Sequence, residues 1–132
     1  MTPELERLAF KGMGKTPNAA ELKLPWPLST NRLYRAVKGR SILSEDYRAW
    51  KREAALMLMA QRAPHLAGPV SVNVALVAPD KRARDGDNTL KSLFDALKAY
   101  GVIEDDSNRI IRKFTVEWMP SGDPCTVTIR SL

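Results

Sequence analysis

The sequence has very few of the residues on which many protein classes depend. Among its 132 residues, Cys125 is the only cysteine and His65 the only histidine. A single cysteine forms no intramolecular disulfide, which excludes a small secreted domain stabilised by disulfides. One cysteine and one histidine also cannot supply the four ligands of a structural zinc site. Any catalytic site of the Ser-His-Asp or Cys-His kind would require His65, which follows Pro64 in a segment typical of a surface loop.

Long apolar runs and targeting signals are lacking as well. The sequence holds no run of about 18 apolar residues, so we expect no membrane-spanning segment. Met1–Glu6 lacks the basic-then-apolar order of a signal peptide, which favours a cytoplasmic protein. The segment Gly14–Thr16 is similar to the end of a phosphate-binding loop, but Ala9 replaces the first glycine of that motif. We therefore expect no nucleotide cofactor.

Positive charge is what the sequence has in excess. Lys and Arg number 21 against 15 Asp and Glu, a net charge of +6, which indicates a polyanionic partner such as nucleic acid. Residues 32–62 alone carry a net charge of +5. Aromatic residues at helical spacing are more typical of a core, so Tyr47 and Trp50 are assigned to it. The candidate phosphate contacts in this region are Arg32, Arg35, Lys38 and Arg40.

Hydrophobic periodicity predicts an α+β fold made of one small domain. Residues 1–21 read as a flexible amino-terminal extension, and residues 22–132 as the folded domain. The pattern predicts helices over 45–62 and 88–100 and strands over 22–26, 32–37, 41–43, 70–77, 110–119 and 125–129. We expect a mixed sheet with both main helices packed on one face.

Acidic residues are concentrated in one part of this basic chain. Six of the eight aspartates lie between Asp80 and Asp106. Neighbouring carboxylates repel one another unless a cation lies among them, and ligands that are all oxygen favour Mg²⁺ or Mn²⁺. The second helix is ~20 Å long and the five residues after Gly101 span up to ~17 Å, so the chain is able to return Asp105 or Asp106 to the end of the helix that carries Asp85 and Asp87. Alternatively, these aspartates only cap helices and form turns, with Lys91 as a solvated ion-pair partner.

Several short motifs, taken in their order along the chain, indicate which protein family the sequence resembles. These motifs are Leu24–Pro27, Asn31-Arg32, Gly39-Arg40, Pro79–Asn88, Lys91, Asp95–Leu97, Gly101-Val102 and Asp105-Asp106. In this order the chain resembles the RusA-type Holliday junction resolvases, small endonucleases of bacteria and phages, over about residues 22–131. The most specific part is the Asp-x-Asp-Asn-x-x-Lys-x-x-x-Asp-Ala-Leu stretch over residues 85–97, followed by the later Asp-Asp pair.

The resemblance implies a role for individual residues. Asp85, Asp87 and Asp106 are expected to be catalytic carboxylates that bind Mg²⁺, with Mn²⁺ as a substitute. Asp105 is expected as a further metal ligand, second to Asp106, and Lys91 is expected to assist catalysis. Gly86 departs from the apolar residue expected between the first two acids. The basic residues that precede these acids join the expected DNA contacts, namely Lys81, Arg82 and Arg84.

The same resemblance implies a bacterial or phage-encoded, Mg²⁺-dependent endonuclease that resolves four-way DNA junctions by paired symmetric nicks in recombination and repair. A junction has near two-fold symmetry and must be cut on two strands, so we expect an intertwined homodimer with two identical sites. Two other functions stay open: a non-catalytic DNA-binding module, and a nuclease for flaps or other branched substrates.

Overall fold

A computed structural model describes residues 18–132 of the chain. The predicted extension over 1–21 therefore lies mostly outside the described residues, as does the Gly14–Thr16 segment. Its last residues belong to the first strand. The elements, in chain order, are β1 Ala19–Leu24, β2 Tyr34–Val37, β3 Arg40–Leu43, α1 Glu45–Ala60, β4 Val70–Leu76, α2 Leu90–Tyr100, β5 Ile111–Trp118 and β6 Cys125–Ser131.

Four strands form a mixed sheet in the order β1-β6-β4-β5. β6 pairs antiparallel with both β1 and β4, whereas β4 and β5 are parallel. Parallel neighbours need a long crossover connection, and the chain between β4 and β5 supplies one that contains α2. The arrangement confirms the predicted mixed sheet and small α+β domain.

One hydrophobic core joins the sheet to both helices. β4 alternates buried and half-buried positions, as its sequence pattern predicts, and β6 does the same. The buried residues of α1 include Tyr47 and Trp50, which confirms their assignment to the core. The buried apolar residues of α2 are Leu93, Ala96 and Leu97. Neither helix in the described part of the chain has the length and apolar character needed to cross a membrane.

The ends of several elements differ from the sequence prediction for local reasons. The predicted strand over 22–26 stops at Leu24, since proline at the next position has no N–H for the ladder. The predicted strand over 32–37 begins only at Tyr34, after a 3₁₀ turn, Thr30–Arg32, that the Ser29 side chain caps. The first turn of the predicted helix over 88–100 is likewise a 3₁₀ turn, Gly86–Thr89, which leads directly into α2.

The glycine at the end of α2 and the β2–β3 hairpin are two further local features of the fold. α2 ends at Gly101, whose φ of 95° is easily adopted only by glycine, and its N–H donates to the carbonyls of Leu97 and Lys98. β2 and β3 form a separate, largely exposed hairpin, as predicted. Lys38 and Gly39 both have positive φ in its two-residue turn, which matches the twist of the strands.

Candidate active site

Asp85 and Asp87 lie where the connection from β4 enters the 3₁₀ turn before α2. Both are exposed, and Asp85 has extended backbone angles without a side-chain capping hydrogen bond. The turn is instead closed by the Thr89 hydroxyl, which donates to the Gly86 carbonyl at 2.6 Å, and by the Asn88 N–H, which donates to the Asp85 carbonyl. The Asp85 carboxylate is thus not used as a helix cap and is available to a ligand.

Gly86 brings this turn close to β5. A Cβ atom built on Gly86 would lie 3.1 Å from Cγ1 of Val116, well inside ordinary van der Waals distance. The glycine therefore lets the backbone between the two acids pass directly over the edge strand. Any larger side chain at this position would press on Val116.

Lys91 is held on α2 by an acidic neighbour, Asp95. Its Nζ donates to Oδ1 of Asp95, one helical turn later, at 3.2 Å. That hydrogen bond, together with the charges of Asp95 and Asp106, raises the pKa of Lys91. The lysine is accordingly a fixed positive charge at neutral pH.

Asp105 and Asp106 are both brought to Lys98. Lys98 Nζ lies 3.0 Å from Oδ1 of Asp105 and 3.7 Å from Oδ1 of Asp106. The hydrogen bond from Lys98, followed by those from Ser107 and from the Asp106 N–H, lowers the pKa of Asp105 to about 2. Asp105 is therefore ionised and already paired with a cation, whereas Asp106 is only loosely engaged.

The side of α2 next to this loop carries alternating charges. Lys91, Asp95 and Lys98 are four and three residues apart, so they share one stripe of the helix. Sequence spacing indicates this stripe. The hydrogen bond from the buried Tyr47 hydroxyl of α1 to Oδ2 of Asp95, at 2.5 Å, had no signal in the sequence. Lys98, as the partner of the Asp-Asp pair, was also missed.

The donor chemistry of the carboxylates around α2 fits the expected metal ion. Within residues 18–132, no three His, Cys, Asp or Glu side chains converge as a preformed metal cluster. Mg²⁺ does not need one, since it keeps several waters and is commonly held by one or two carboxylates together with substrate phosphate oxygens. The available donors are all carboxylate oxygens, so their chemistry fits Mg²⁺ in that mode.

A cleft beside Asp85 is lined by aromatic and basic side chains. It has a volume of about 470 Å³, and its lining includes Trp26, Arg32, Arg82, Arg84 and Asp85. The Arg84 guanidinium lies over the Trp26 ring, 5.5 Å from its centroid, in a cation–π contact. The sequence pattern placed Trp26 in a strand and in the Leu24–Pro27 motif, and its contact with Arg84 was not predicted.

Ion pairs hold the arginines of this cleft in place. Oδ2 of Asp80 accepts from Arg84 at 2.8 Å and from Arg82 at 3.1 Å, while Arg32 pairs with Asp46. Nε of Arg84 is buried and has no hydrogen-bond partner in the described part of the chain. A buried donor of this kind is costly unless a ligand or water satisfies it.

The remaining predicted DNA contacts lie outside the cleft. Arg35 and Arg40 lie on the strands of the β2–β3 hairpin and Lys38 in its turn, and all three are exposed. Lys81 is exposed in the loop after β4. The structure thus divides the predicted basic residues between the hairpin and the neighbourhood of Asp85.

Comparison with known proteins gives one consistent result. A family model described as Endodeoxyribonuclease RusA matches residues 25–130. The protein named Crossover junction endodeoxyribonuclease RusA from Escherichia coli strain K12 is 38% identical over 116 residues, covering 87% of this chain and 97% of that relative. The proteins of the same name from Enterobacteria phage 82 and Shigella sonnei strain Ss046 are each 37% identical with the same coverage.

Proposed function

The chain belongs to the RusA family of endodeoxyribonucleases, and we propose that it is a crossover junction endodeoxyribonuclease that resolves Holliday junctions by paired symmetric nicks. The observation that carries this proposal is the arrangement around α2. An exposed Asp85-Gly86-Asp87 turn precedes the helix, a charged Lys91 lies on it, and Asp106 lies 3.7 Å from Lys98 further along the helix. We further propose that the protein acts in the cytoplasm of a bacterium, encoded by the host or by a phage.

We propose that Asp85, Asp87 and Asp106 hold Mg²⁺, or Mn²⁺ in its place. When bound, such an ion lowers the pKa of a water molecule and neutralises charge that develops on the phosphate. The exposure of Asp85 and Asp87 and the loose engagement of Asp106 by Lys98 support these three as ligands. Asp105 contributes less to metal binding, because its carboxylate already forms an ion pair with Lys98.

Basic side chains of the protein stabilise charge on the phosphate and bind the DNA backbone. Lys91 is a permanently charged donor, and its ammonium group stabilises negative charge on the phosphate in the transition state. Arg82 and Arg84 are held by Asp80 beside Asp85, so they orient the DNA backbone next to the carboxylates. The remaining basic residues then bind more distant phosphates and make binding sensitive to salt; these are Arg32, Arg35, Lys38, Arg40 and Lys81.

A homodimer is the assembly we propose for two cuts in one junction. One chain carries one such site, whereas a four-way junction has near two-fold symmetry and must be nicked on two strands. β5 is an edge strand of the sheet, and Phe114 and Trp118 on it are 51% and 43% exposed. Apolar side chains at an open edge support an intermolecular contact there. The intertwining of the two chains and the boundary at residue 22 stay predictions.

The direct test is a panel of labelled DNA substrates incubated with and without Mg²⁺. Four-way junctions should be nicked at symmetric positions only with Mg²⁺, faster than flaps, Y-forks or duplexes. Asp87→Asn should slow nicking by about 100-fold or more while junction binding is retained, since it removes a charged metal ligand. Asp123→Asn is the matched control, because it neutralises an aspartate in the β5–β6 loop that pairs with Lys23.

Three outcomes would contradict the proposal. Junction binding without incision under any divalent ion would favour a non-catalytic DNA-binding module. Faster cutting of flaps or of RNA would favour a different nuclease with the same metal site. Normal nicking by Asp87→Asn would show that the assignment of the carboxylates is wrong.

A further inference from the structure

Asp95 connects the proposed catalytic lysine to the hydrophobic core. Its Oδ1 accepts a hydrogen bond from Lys91 Nζ at 3.2 Å, and its Oδ2 accepts one from the Tyr47 hydroxyl at 2.5 Å. Lys91 and Asp95 belong to α2, whereas Tyr47 belongs to α1. Each oxygen of a single carboxylate thus binds a group from a different helix. This contact exists only because the two helices pack together.

Burial distinguishes this arrangement from an ordinary ion pair on a helix surface. Exposed pairs at i and i+4 contribute only about 0.3–0.5 kcal/mol and hold neither side chain in one conformation. Here the Asp95 side chain is 18% exposed, and Tyr47 is completely buried. The Tyr47 ring is itself packed between Tyr34 and Trp50, with centroid distances of 6.4 and 6.3 Å. The core therefore fixes Tyr47, and Tyr47 fixes the Asp95 carboxylate.

A fixed carboxylate matters because lysine is flexible. The Lys91 side chain is 46% exposed, and its four-carbon stem has many rotamers, so it needs a partner to hold its ammonium group in one place. Asp95 is the partner that the structure supplies for this ammonium group.

We propose that Asp95, anchored by the buried Tyr47 hydroxyl, is a positioning residue that holds the Lys91 ammonium group in its working place. This inference rests on the proposed function, in which Lys91 stabilises charge on the phosphate. It adds a residue from α1, Tyr47, to the determinants of the reaction. It also predicts that Asp95 affects the chemical step and leaves DNA binding unchanged.

The test separates cleavage from binding. The rate constant is measured in single turnovers with enzyme in excess over a four-way junction, and the Kd is measured with Ca²⁺ in place of Mg²⁺. Asp95→Asn should lower the rate constant about tenfold, since one charged hydrogen bond is lost, and leave the Kd within about twofold. Tyr47→Phe should lower it about threefold, because Lys91 keeps its partner but the partner is less fixed. Asp95→Glu, which restores the charge, should recover part of the rate.

Two matched controls address the change of charge and the loss of a hydroxyl. Glu53→Gln neutralises an exposed carboxylate of α1 on the side of the helix away from Tyr47. Tyr100→Phe removes a hydroxyl at the other end of α2. Both variants should cleave within about twofold of the unmodified protein, because neither touches Lys91. The proposal would be overturned if Glu53→Gln lowered the cleavage rate constant as much as Asp95→Asn does, or if Tyr100→Phe lowered it as much as Tyr47→Phe does.

The Lys91→Ala background distinguishes failure of this inference from failure of the proposed function. If Asp95 acts through Lys91, Asp95→Asn should have little further effect on the residual cleavage of Lys91→Ala. An equal, additive loss in that background would refute the positioning role. Full activity of Lys91→Ala would instead refute the role of the lysine within the proposed function.

A spectroscopic measurement tests the contact without any cleavage. In protein with ¹³C-labelled lysine, the Cε signal of Lys91 is identified by its disappearance in Lys91→Ala. Asp95→Asn should move this signal toward the position of freely rotating lysines, while Glu53→Gln leaves it in place. An unchanged Lys91 signal in a folded Asp95→Asn protein would show that Asp95 does not hold the lysine.

Discussion

A side chain added at Gly86 should push the segment that carries Asp85 and Asp87 away from the sheet. A Cβ atom at this position would lie 3.1 Å from Cγ1 of Val116 and 3.9 Å from the Trp118 ring. The φ of Gly86 is not positive, so the backbone itself accepts other residues. The effect of a substitution therefore depends on contact with β5 and on nothing else in the local geometry.

The contact distances set the expected size of the effect. Gly86→Ala restricts the unfolded chain, which stabilises by about 0.4–1 kcal/mol, and a small rotation of the half-buried Val116 relieves its close contact. The net change in the free energy of unfolding should stay within about 1 kcal/mol. Gly86→Val adds two more methyl groups against Val116 and should destabilise by about 1–3 kcal/mol. Val116→Ala alone removes half-buried methyl groups and should cost about 1 kcal/mol.

Urea unfolding of the four members of this double-mutant cycle measures the contact. In the Val116→Ala background, the cost of Gly86→Val should fall by at least about 1 kcal/mol, because the space has been opened. The rate of junction cleavage should change in the same direction as stability. Gly86→Val should lower this rate, and the double variant should recover part of it. Gly68→Ala is the control: Gly68 has a φ of 74° with no atoms near its Cβ position, so its cost should be the same in both backgrounds. Additivity of Gly86→Val and Val116→Ala within about 0.5 kcal/mol would refute the reasoning.

At high pH, burial and the hydrogen bond to Asp95 raise the pKa of Tyr47 well above its ordinary 10, so the unfolded chain loses this proton first. The free energy of unfolding should therefore fall above about pH 10, by up to about 1.4 kcal/mol per pH unit, and Tyr47→Phe should reduce that slope in urea titrations. At low pH, the pKa of Asp105, about 2 against an ordinary 3.8, means that its pair with Lys98 stabilises above pH 3.8 and is lost as the pH falls toward 2. Asp105→Asn should remove the part of the stability loss at low pH that comes from this pair. If the free energy of unfolding of Asp105→Asn falls with decreasing pH as steeply as that of the unmodified protein, the pairing is contradicted. Leu97→Ala, which truncates a fully buried residue of α2, should lower the free energy of unfolding by about 3 kcal/mol in the same assay, and a loss below about 1 kcal/mol would argue against its burial.

Elements with a clear hydrophobic period were predicted well, and those bounded by side-chain contacts were not. The alternation over residues 70–77 predicted β4 because one face of the strand is buried, and the i, i+3, i+4, i+7 pattern predicted α2 for the same reason. The 3₁₀ turns at residues 30–32 and 86–89 were missed. Their geometry depends on the Ser29 and Thr89 hydroxyls and on close approach to β5, which have no periodic signal.

The sequence by itself determined the family, the α+β class and the group of aspartates with Lys91 that we propose as the active site. It could do so because charge, spacing and the order of motifs are properties of the chain alone. Tertiary structure decided which charges meet: Lys98 with Asp105, Arg84 with Trp26, and Tyr47 with Asp95. These contacts form when α1, α2 and the loops after β1, β4 and α2 pack over one core. Because the partners are distant in sequence, no local sequence pattern predicts that they meet.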